Sequence, residues 1–231
     1  MPNLPAAFRL GRREMVAFVG GGGKTSLMLE LARQLDAASK VVRLGTTASI
    51  EASEVAELRH FVYDRVDGDR LLGAAPDHFD GLLRLGWVEV VAVEADDAGG
   101  RSVKAPDDNE PIIPRAATQV VAVIGADALD GVIEDQGQRP MRIAAIVGCR
   151  PYERLTPERA AVLVCSPRGG RKNVPSMARF TVCVTRVRPE RDALVDRFAE
   201  AVRAIDPGVT VVRVPDSLGV EAPKPPANPR V

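Results

Sequence analysis

Residues 15–19 (M-V-A-F-V) are unbroken apolar positions ending in a run of glycines, the pattern of a strand covered on both faces. From Thr25 the period changes. Leu27, Met28, Leu31, Ala32 and Leu35 fall on one face of a helix, with Glu30, Arg33, Gln34 and Asp36 elsewhere. Further strands are predicted at 40–44 (K-V-V-R-L), 61–63, 87–93 (W-V-E-V-V-A-V), 120–124, 180–184 and 209–212. Helices are predicted at 51–60, 76–85 and 190–205, and after Thr156, where threonine can cap and Pro157 fits the first helical position. Residues 64–69 (D-R-V-D-G-D) read as a turn, 166–173 (S-P-R-G-G-R-K-N) as a basic glycine turn, and 99–115 as a long polar, proline-punctuated connection. Such alternation predicts an α/β fold: a P-loop NTPase-like, mostly parallel sheet with helices on both faces. One domain is expected over residues 1–220, with the proline-rich 221–231 as a tail that cannot join a helix or a central strand.

Composition narrows the function classes. The 231 residues carry 31 basic and 31 acidic side chains, so no long-range field draws the chain to nucleic acid or to an anionic membrane. The basic residues Arg168, Arg171 and Lys172 lack the interleaved aromatics of a nucleic-acid site and read as a solvated turn. No apolar run is long enough to cross a bilayer, and the first residues lack a signal-peptide core, so a cytoplasmic protein is expected. Cys149, Cys165 and Cys183 form no C-x-x-C pair and read as reduced thiols. His60 and His78 belong to no metal-ligand pattern.

The candidate chemistry lies in F18-V-G-G-G-G-K-T-S26. The strict pattern G-x-x-x-x-G-K-[ST] fails, because Phe18 stands where its first glycine belongs. Strand, glycine run and amphipathic helix nevertheless follow in the order a phosphate loop requires. Gly20, Gly21, Gly22 and Gly23 offer bare backbone N–H groups, Lys24 can reach the terminal phosphates, and Thr25 can place its hydroxyl on Mg2+. Ser26 is a further small polar residue at the helix start. Aligned on Lys24, Val19 occupies the place from which some dimerising P-loop proteins offer a second lysine, so no such trans-acting group is expected here. The acidic end of the 87–93 strand supplies Glu94, Asp96 and Asp97. Asp96 is the expected magnesium-side carboxylate and Glu94 the residue that arranges water, the two sharing one side of an extended strand. Thr46 and Thr47 follow a neighbouring strand, where they either meet the metal and phosphate or cap the next helix. Arg101 and Lys104 lie just beyond the acidic strand, within reach of a phosphate or a second substrate.

Two further blocks are more distinctive than the loop. Residues 94–106 (E-A-D-D-A-G-G-R-S-V-K-A-P) and 109–114 (N-E-P-I-I-P) resemble the E-A-D-G-A-K-G-R-P-L-K-A-P and H-E-P-x-I-P segments of the YqeC-type accessory proteins of selenium-dependent molybdenum hydroxylases. V-I-G-A-D-A-L at 123–129, L-T-P-E at 155–158 and S-P-R-G-G-R-K-N-V-P from 166 resemble other segments of the same family. The resemblance covers most of residues 14–188. It implies a cytoplasmic P-loop protein that assists maturation of a molybdenum hydroxylase or its selenium-containing cofactor. It assigns Gly20 through Thr25 to phosphate, Glu94 and Asp96 to the magnesium side, and Arg101, Lys104 and Glu110 to an undefined role. This chain departs from the family at Asp97 (usually glycine), Gly99 (lysine), Asn109 (histidine) and Asp130 (glycine). It also has T-R-V-R at 185–188 where the family commonly shows N-x-x-D. An aspartate there accepts hydrogen bonds from a guanine base, which an arginine cannot do.

The expected function is therefore a magnesium-dependent protein that binds ATP or GTP, with slow hydrolysis driving a maturation step. Lys24 would stabilise charge on the β and γ phosphates, and Thr25 with Asp96 would hold the metal. A small-molecule kinase or nucleotidyl transferase, with 99–115 closing on an acceptor, is one alternative. A nucleotide-sensing protein that alters partner affinity without turnover is another.

Overall fold

The computed structural model describes residues 1–55 and 61–216. In chain order the elements are α1 (Leu4–Ala7), β1 (Glu14–Gly20), α2 (Lys24–Ala37), β2 (Val42–Thr46), β3 (Ser49–Glu51), β4 (Phe61–Val62), β5 (Arg65–Asp67) and β6 (Arg70–Leu72). There follow α3 (Pro76–Arg84), β7 (Val90–Glu94), β8 (Val103–Lys104), β9 (Gln119–Gly125), α4 (Ile133–Gln136), β10 (Gly137–Gln138), α5 (Pro140–Val147), α6 (Pro157–Cys165), β11 (Arg179–Val187), α7 (Asp192–Ile205) and β12 (Thr210–Pro215). Seven strands form one sheet in the order β12-β11-β9-β1-β7-β2-β4, every pair parallel.

The unbroken apolar runs are the central strands, as expected for positions buried on both faces. Along β1, Val16 and Phe18 pack with Leu27, Met28 and Leu31 of α2. Met15, Ala17 and Val19 point the other way, toward Phe79 of α3. Farther along the sheet that second face is covered by α6 and α7, whose Leu163, Val164, Val195, Phe198 and Val202 pack on Val182 and Val184. Helices thus lie on both faces. The α6 start is capped by Thr156, whose hydroxyl accepts from the Arg159 N–H at 3.3 Å. After β1 the chain builds the β7-β2-β4 side, and later it crosses to β9, β11 and β12. The C-terminal end of β1 therefore sits where the strand order reverses, the place an open parallel sheet presents to ligands.

Several boundaries differ from expectation. Residues 64–69 are not a simple turn: β5 and β6 form a hairpin around Gly68 and Asp69 that pairs with β3 into a small antiparallel sheet. The strand foreseen at 87–93 begins only at Val90, because Trp87 is half exposed and stacks beneath the Arg43 guanidinium. The strand foreseen at 40–44 runs over Val42–Thr46. Of the helix foreseen at 51–60, Ala52–Val55 form a 3-10 turn, and 56–60 lie outside the described residues, as does the tail at 221–231. The long 99–115 connection is pinned by β8, which pairs with β10. Helices α1, α4 and α5 were not foreseen. Asn3, which accepts from the Ala6 N–H, and Pro5 signal α1, while Pro140 signals the start of α5.

Among the described residues no helix is long and apolar enough to cross a membrane.

Candidate functional site

The glycine run leaves β1 and turns into α2 over Gly20, Gly22 and Gly23, all at positive φ (95°, 80° and 91°). Its first half is packed against protein. The Gly20 N–H donates to Asp96 Oδ2 at 3.0 Å, Gly21 N–H to the Val123 carbonyl at 3.0 Å, and Gly22 N–H to the Arg101 carbonyl at 2.9 Å. A Cβ on Gly22 would lie 2.2 Å from the Gly125 nitrogen, whereas one on Gly23 would meet nothing nearer than 3.9 Å. The bare backbone at Gly20 to Gly22 therefore lets the loop nest on the ends of β8 and β9, and Gly23 is the glycine that faces open space. From Gly23 through Ser26 the N–H groups have no acceptor among the described residues, as the first turn of a helix requires. They open, with the positive end of the α2 dipole, onto a cleft of about 470 Å³.

Lys24 and Thr25 begin α2 and are both buried. The Lys24 ammonium donates to the Gly20 carbonyl at 2.7 Å and lies 3.1 Å from Asp96 Oδ1 and 3.5 Å from Glu94 Oε1. Burial opposes its charge, but the Asp96 and Glu94 carboxylates outweigh that and hold its pKa above the ordinary lysine value. The Thr25 hydroxyl donates to Glu94 Oε2 at 2.8 Å. Burial pushes the Glu94 pKa up, with Lys24 and Thr25 only partly offsetting it. The two directions are compatible, because Lys24 is closer to Asp96 and its charge is matched there first.

The two carboxylates occupy different places. Strand β7 ends at Glu94, whose side chain lines the cleft beside Thr25 and Ser26. Past the strand end the chain bends, and Asp96 lies behind the loop, 1% exposed, between Lys24 and Lys104 Nζ (3.4 Å from Oδ2). Lys104 is equally buried and also donates to the Asp97 carbonyl at 2.6 Å and to Glu110 at 2.7 Å, which is in turn paired with Arg139 at 2.9 Å. Lys104 thus ties the loop after β7 to Glu110 and does not line the cleft. Arg101 does line it, while its Nη1 donates to the Asp135 carbonyl at 2.5 Å. Thr46 and Thr47 are engaged by main chain: Thr46 donates to the Glu94 carbonyl at 3.0 Å and Thr47 to the Ile112 carbonyl at 2.6 Å.

The opposite wall of the cleft comes from the small antiparallel sheet and the 3-10 turn after β3: Ser49, Ile50, Glu51, Glu54 and Arg70. Arg70 is anchored to Asp97 at 2.6 Å and to the Ser49 hydroxyl at 2.6 Å. The basic turn at 166–173 is away from the cleft. Lys172 donates to the carbonyls of Asp107 and Asp108, and Arg171 stacks on Phe180 and pairs with Asp206. Its charges hold the 104–111 segment and α7 in place.

The family profile of the YqeC proteins matches this chain over residues 16–67 and 59–140, a span that holds the glycine run, Glu94, Asp96, Lys104 and Glu110. The chain belongs to the YqeC family. A relative from Escherichia coli (strain K12), described as "Uncharacterized protein YqeC", is 29% identical over 215 residues, covering 84% of this chain and 80% of its own length. The YqeC match stops short of β11, so Arg186 at that strand's end falls outside it. Like Ser49, Glu51, Glu54 and Arg70 on the opposite wall, Arg186 is a cleft residue to which no sequence motif assigned a role. Its side chain reaches across to Ser102 and Asp127 and lines the cleft beside Gly23.

Proposed function

We propose that the cleft binds a nucleoside triphosphate, ATP or GTP, with magnesium, and that slow hydrolysis there drives a maturation step on a molybdenum hydroxylase or its selenium-containing cofactor. The observation that carries the nucleotide reading is one arrangement: Lys24 and Thr25 open α2, their free N–H groups face a ligand-sized cleft, and Glu94 of the adjacent parallel strand is bonded to the Thr25 hydroxyl. What supports the client is the resemblance of residues 94–106 and 109–114 to segments of the YqeC-type accessory proteins.

The residues fit magnesium in a particular way. No group of three or more His, Cys, Asp or Glu side chains among the described residues is placed to hold a metal alone. Thr25 and Glu94 offer one hydroxyl and one carboxylate, the sparse set magnesium takes when substrate phosphates and waters complete its shell. Bound there, the ion would neutralise charge on the β and γ oxygens. Glu94 is thus the metal-side carboxylate, and Asp96 is a positioning residue that holds Lys24 and Lys104. Lys24 would leave the Gly20 carbonyl and turn to the terminal phosphates, while the N–H groups of Gly23 to Ser26 would bind the oxygens between them.

Glu51, Glu54 and Arg70, on the wall opposite the loop, stand where an acceptor would sit in a kinase or nucleotidyl transferase. Turnover that requires an added small-molecule acceptor would replace hydrolysis by transfer. The first test is calorimetric titration of the whole chain with ATP and with GTP in the presence of magnesium, repeated on Lys24→Ala. Saturable binding that Lys24→Ala weakens by about 100-fold is expected. Absence of binding by a folded wild-type protein would remove the nucleotide reading.

A further inference from the structure

At the end of β11 the register against β12 shifts between Val184 and Val187, and within that irregularity Arg186 adopts φ 54°, a conformation uncommon for a side-chain-bearing residue. The preceding residue, Thr185, is buried and its hydroxyl donates to the Gly22 carbonyl, which fastens the end of β11 to the phosphate loop. The bulge turns the Arg186 side chain over the mouth of the loop. Its Nη1 donates to Ser102 Oγ at 3.1 Å and lies 3.3 Å from Asp127 Oδ2, and the Ser102 hydroxyl itself donates to Asp127 at 2.5 Å. One edge of the guanidinium is therefore fixed. Nη2 points at Gly23, 3.9 Å from where a Cβ would be, and neither Nη2 nor Nε has an acceptor among the described residues. A planar, permanently charged fork is thus held with free donors beside the N–H groups that begin α2.

Lys24, held by Asp96, Glu94 and the Gly20 carbonyl, serves the inner side of the cleft and not its outer side. Arg186 stands on that outer side and lines both the main cleft and the shallow extension formed by Gly22, Gly23, Ser26, Thr185, Pro215 and Asp216. In that extension the available carboxylate, Asp216, is ion-paired with Arg188. A recess of about 30 Å³ holds no base, so a ligand meets Arg186 from the main cleft.

We propose that Arg186 is a phosphate-binding residue of the cleft, its free guanidinium donors meeting the polyphosphate chain beside the N–H groups that begin α2. This rests on the nucleotide reading above and names what that site recognises. The test is calorimetry with magnesium and ATP, GTP or inorganic tripolyphosphate on the wild type, Arg186→Gly, Arg186→Lys and Lys24→Ala. Glycine suits the positive φ, so Arg186→Gly removes the charge without straining the backbone. Matched thermal unfolding confirms that each variant is folded.

The expected result is a loss of about 10- to 100-fold for ATP, GTP and tripolyphosphate alike in Arg186→Gly. Arg186→Lys should recover part of that loss. The proposal is overturned if Arg186→Gly binds tripolyphosphate as tightly as the wild type, or loses one nucleotide and keeps the other. If Lys24→Ala weakens binding while Arg186→Gly does not, this inference alone fails. If the folded wild type binds none of the three ligands, the nucleotide reading fails with it.

Discussion

The glycine run can be dissected by alanine because its members are constrained for different reasons. At Gly21 the backbone is not at positive φ, but a Cβ would lie 2.7 Å from the Arg101 carbonyl oxygen and 2.8 Å from the Val103 nitrogen. Gly22 combines φ 80° with a Cβ position 2.2 Å from the Gly125 nitrogen. Gly23 has φ 91° and open space. Left-handed backbone costs an alanine about 1–2 kcal/mol, and forcing a methyl into packed backbone costs about 1–3 kcal/mol. Gly23→Ala should therefore lose about 1–2 kcal/mol, Gly21→Ala about 1–3 kcal/mol, and Gly22→Ala their sum, about 2–5 kcal/mol. Guanidinium unfolding measures this directly, with shifted midpoints and unchanged slopes. For a chain of this size, 1 kcal/mol corresponds to about 2–4 °C in Tm. Gly23→Ala should weaken nucleotide binding far more than its small stability loss suggests, since Gly23 alone of the four faces the cleft. A Gly22→Ala protein as stable as Gly23→Ala would refute the nested packing of the loop on β8 and β9.

Two other outcomes follow from the chemistry away from the cleft. Buried Glu14 accepts from the Gly11 N–H at 2.8 Å and from Thr118, and pairs with Arg179 at 2.9 Å. Burial raises its pKa, but the contacts with Thr118, Gly11 and Arg179 outweigh it and the net direction is down. Because the folded state holds the carboxylate more tightly than the unfolded state does, this stabilisation is complete above the unfolded pKa of about 4.3 and disappears as pH falls through the lower folded value. Glu14→Gln should cost about 1–3 kcal/mol near pH 7 and flatten the acid limb of a denaturation series; an unchanged acid limb would count against the assignment. Burial pushes the Cys183 thiol far up, so it should resist a maleimide until the chain unfolds, while half-buried Cys149 is labelled first in the native protein. Mass spectrometry of partial labelling reads the order, and early modification at Cys183 would show β11 to be accessible.

How much the sequence revealed depended on how local the cause was. The central strands were legible because burial on both faces leaves no room for a polar residue from 15 to 19 or from 120 to 124. The β5–β6 hairpin was not, because its strands are three residues long, Val66 is 56% exposed and only Leu71 is buried, so no alternation marks it. Its one available signal was the Asp67-Gly68 pair at the turn. Glu94 and Asp96 were foreseen on one side of an extended strand, but β7 stops at Glu94 and the period of two stops with it. Arg186 depends on a bulge, a positive φ and partners 84 and 59 residues away, none of which leaves a local pattern.

The departures from the YqeC pattern gain a physical meaning from where they sit. Asp97, in place of the usual glycine, receives Arg70 and accepts the Gly99 N–H at 2.7 Å, so it ties the antiparallel sheet to the loop that follows the acidic strand. An ion pair this exposed adds only about 0–1 kcal/mol, which makes its geometry more consequential than its energy: it fixes the wall carrying Glu51 and Glu54 across from Lys24 and Thr25. The T-R-V-R stretch lies on the other lip, where Thr185 fastens β11 to the loop and Arg186 projects over it. The arrangement of Lys24, Thr25, Glu94, Asp96, Lys104 and Glu110 keeps the residues of the resembling family segments, whereas Asp97 on one lip and Thr185 and Arg188 on the other do not. On the proposed nucleotide reading, variation of that kind would keep the phosphate contacts and change what enters beside them, so the phosphates are best sought at Thr25, Glu94 and Arg186, and any second ligand at Glu51, Glu54 and Arg70 on the opposite wall.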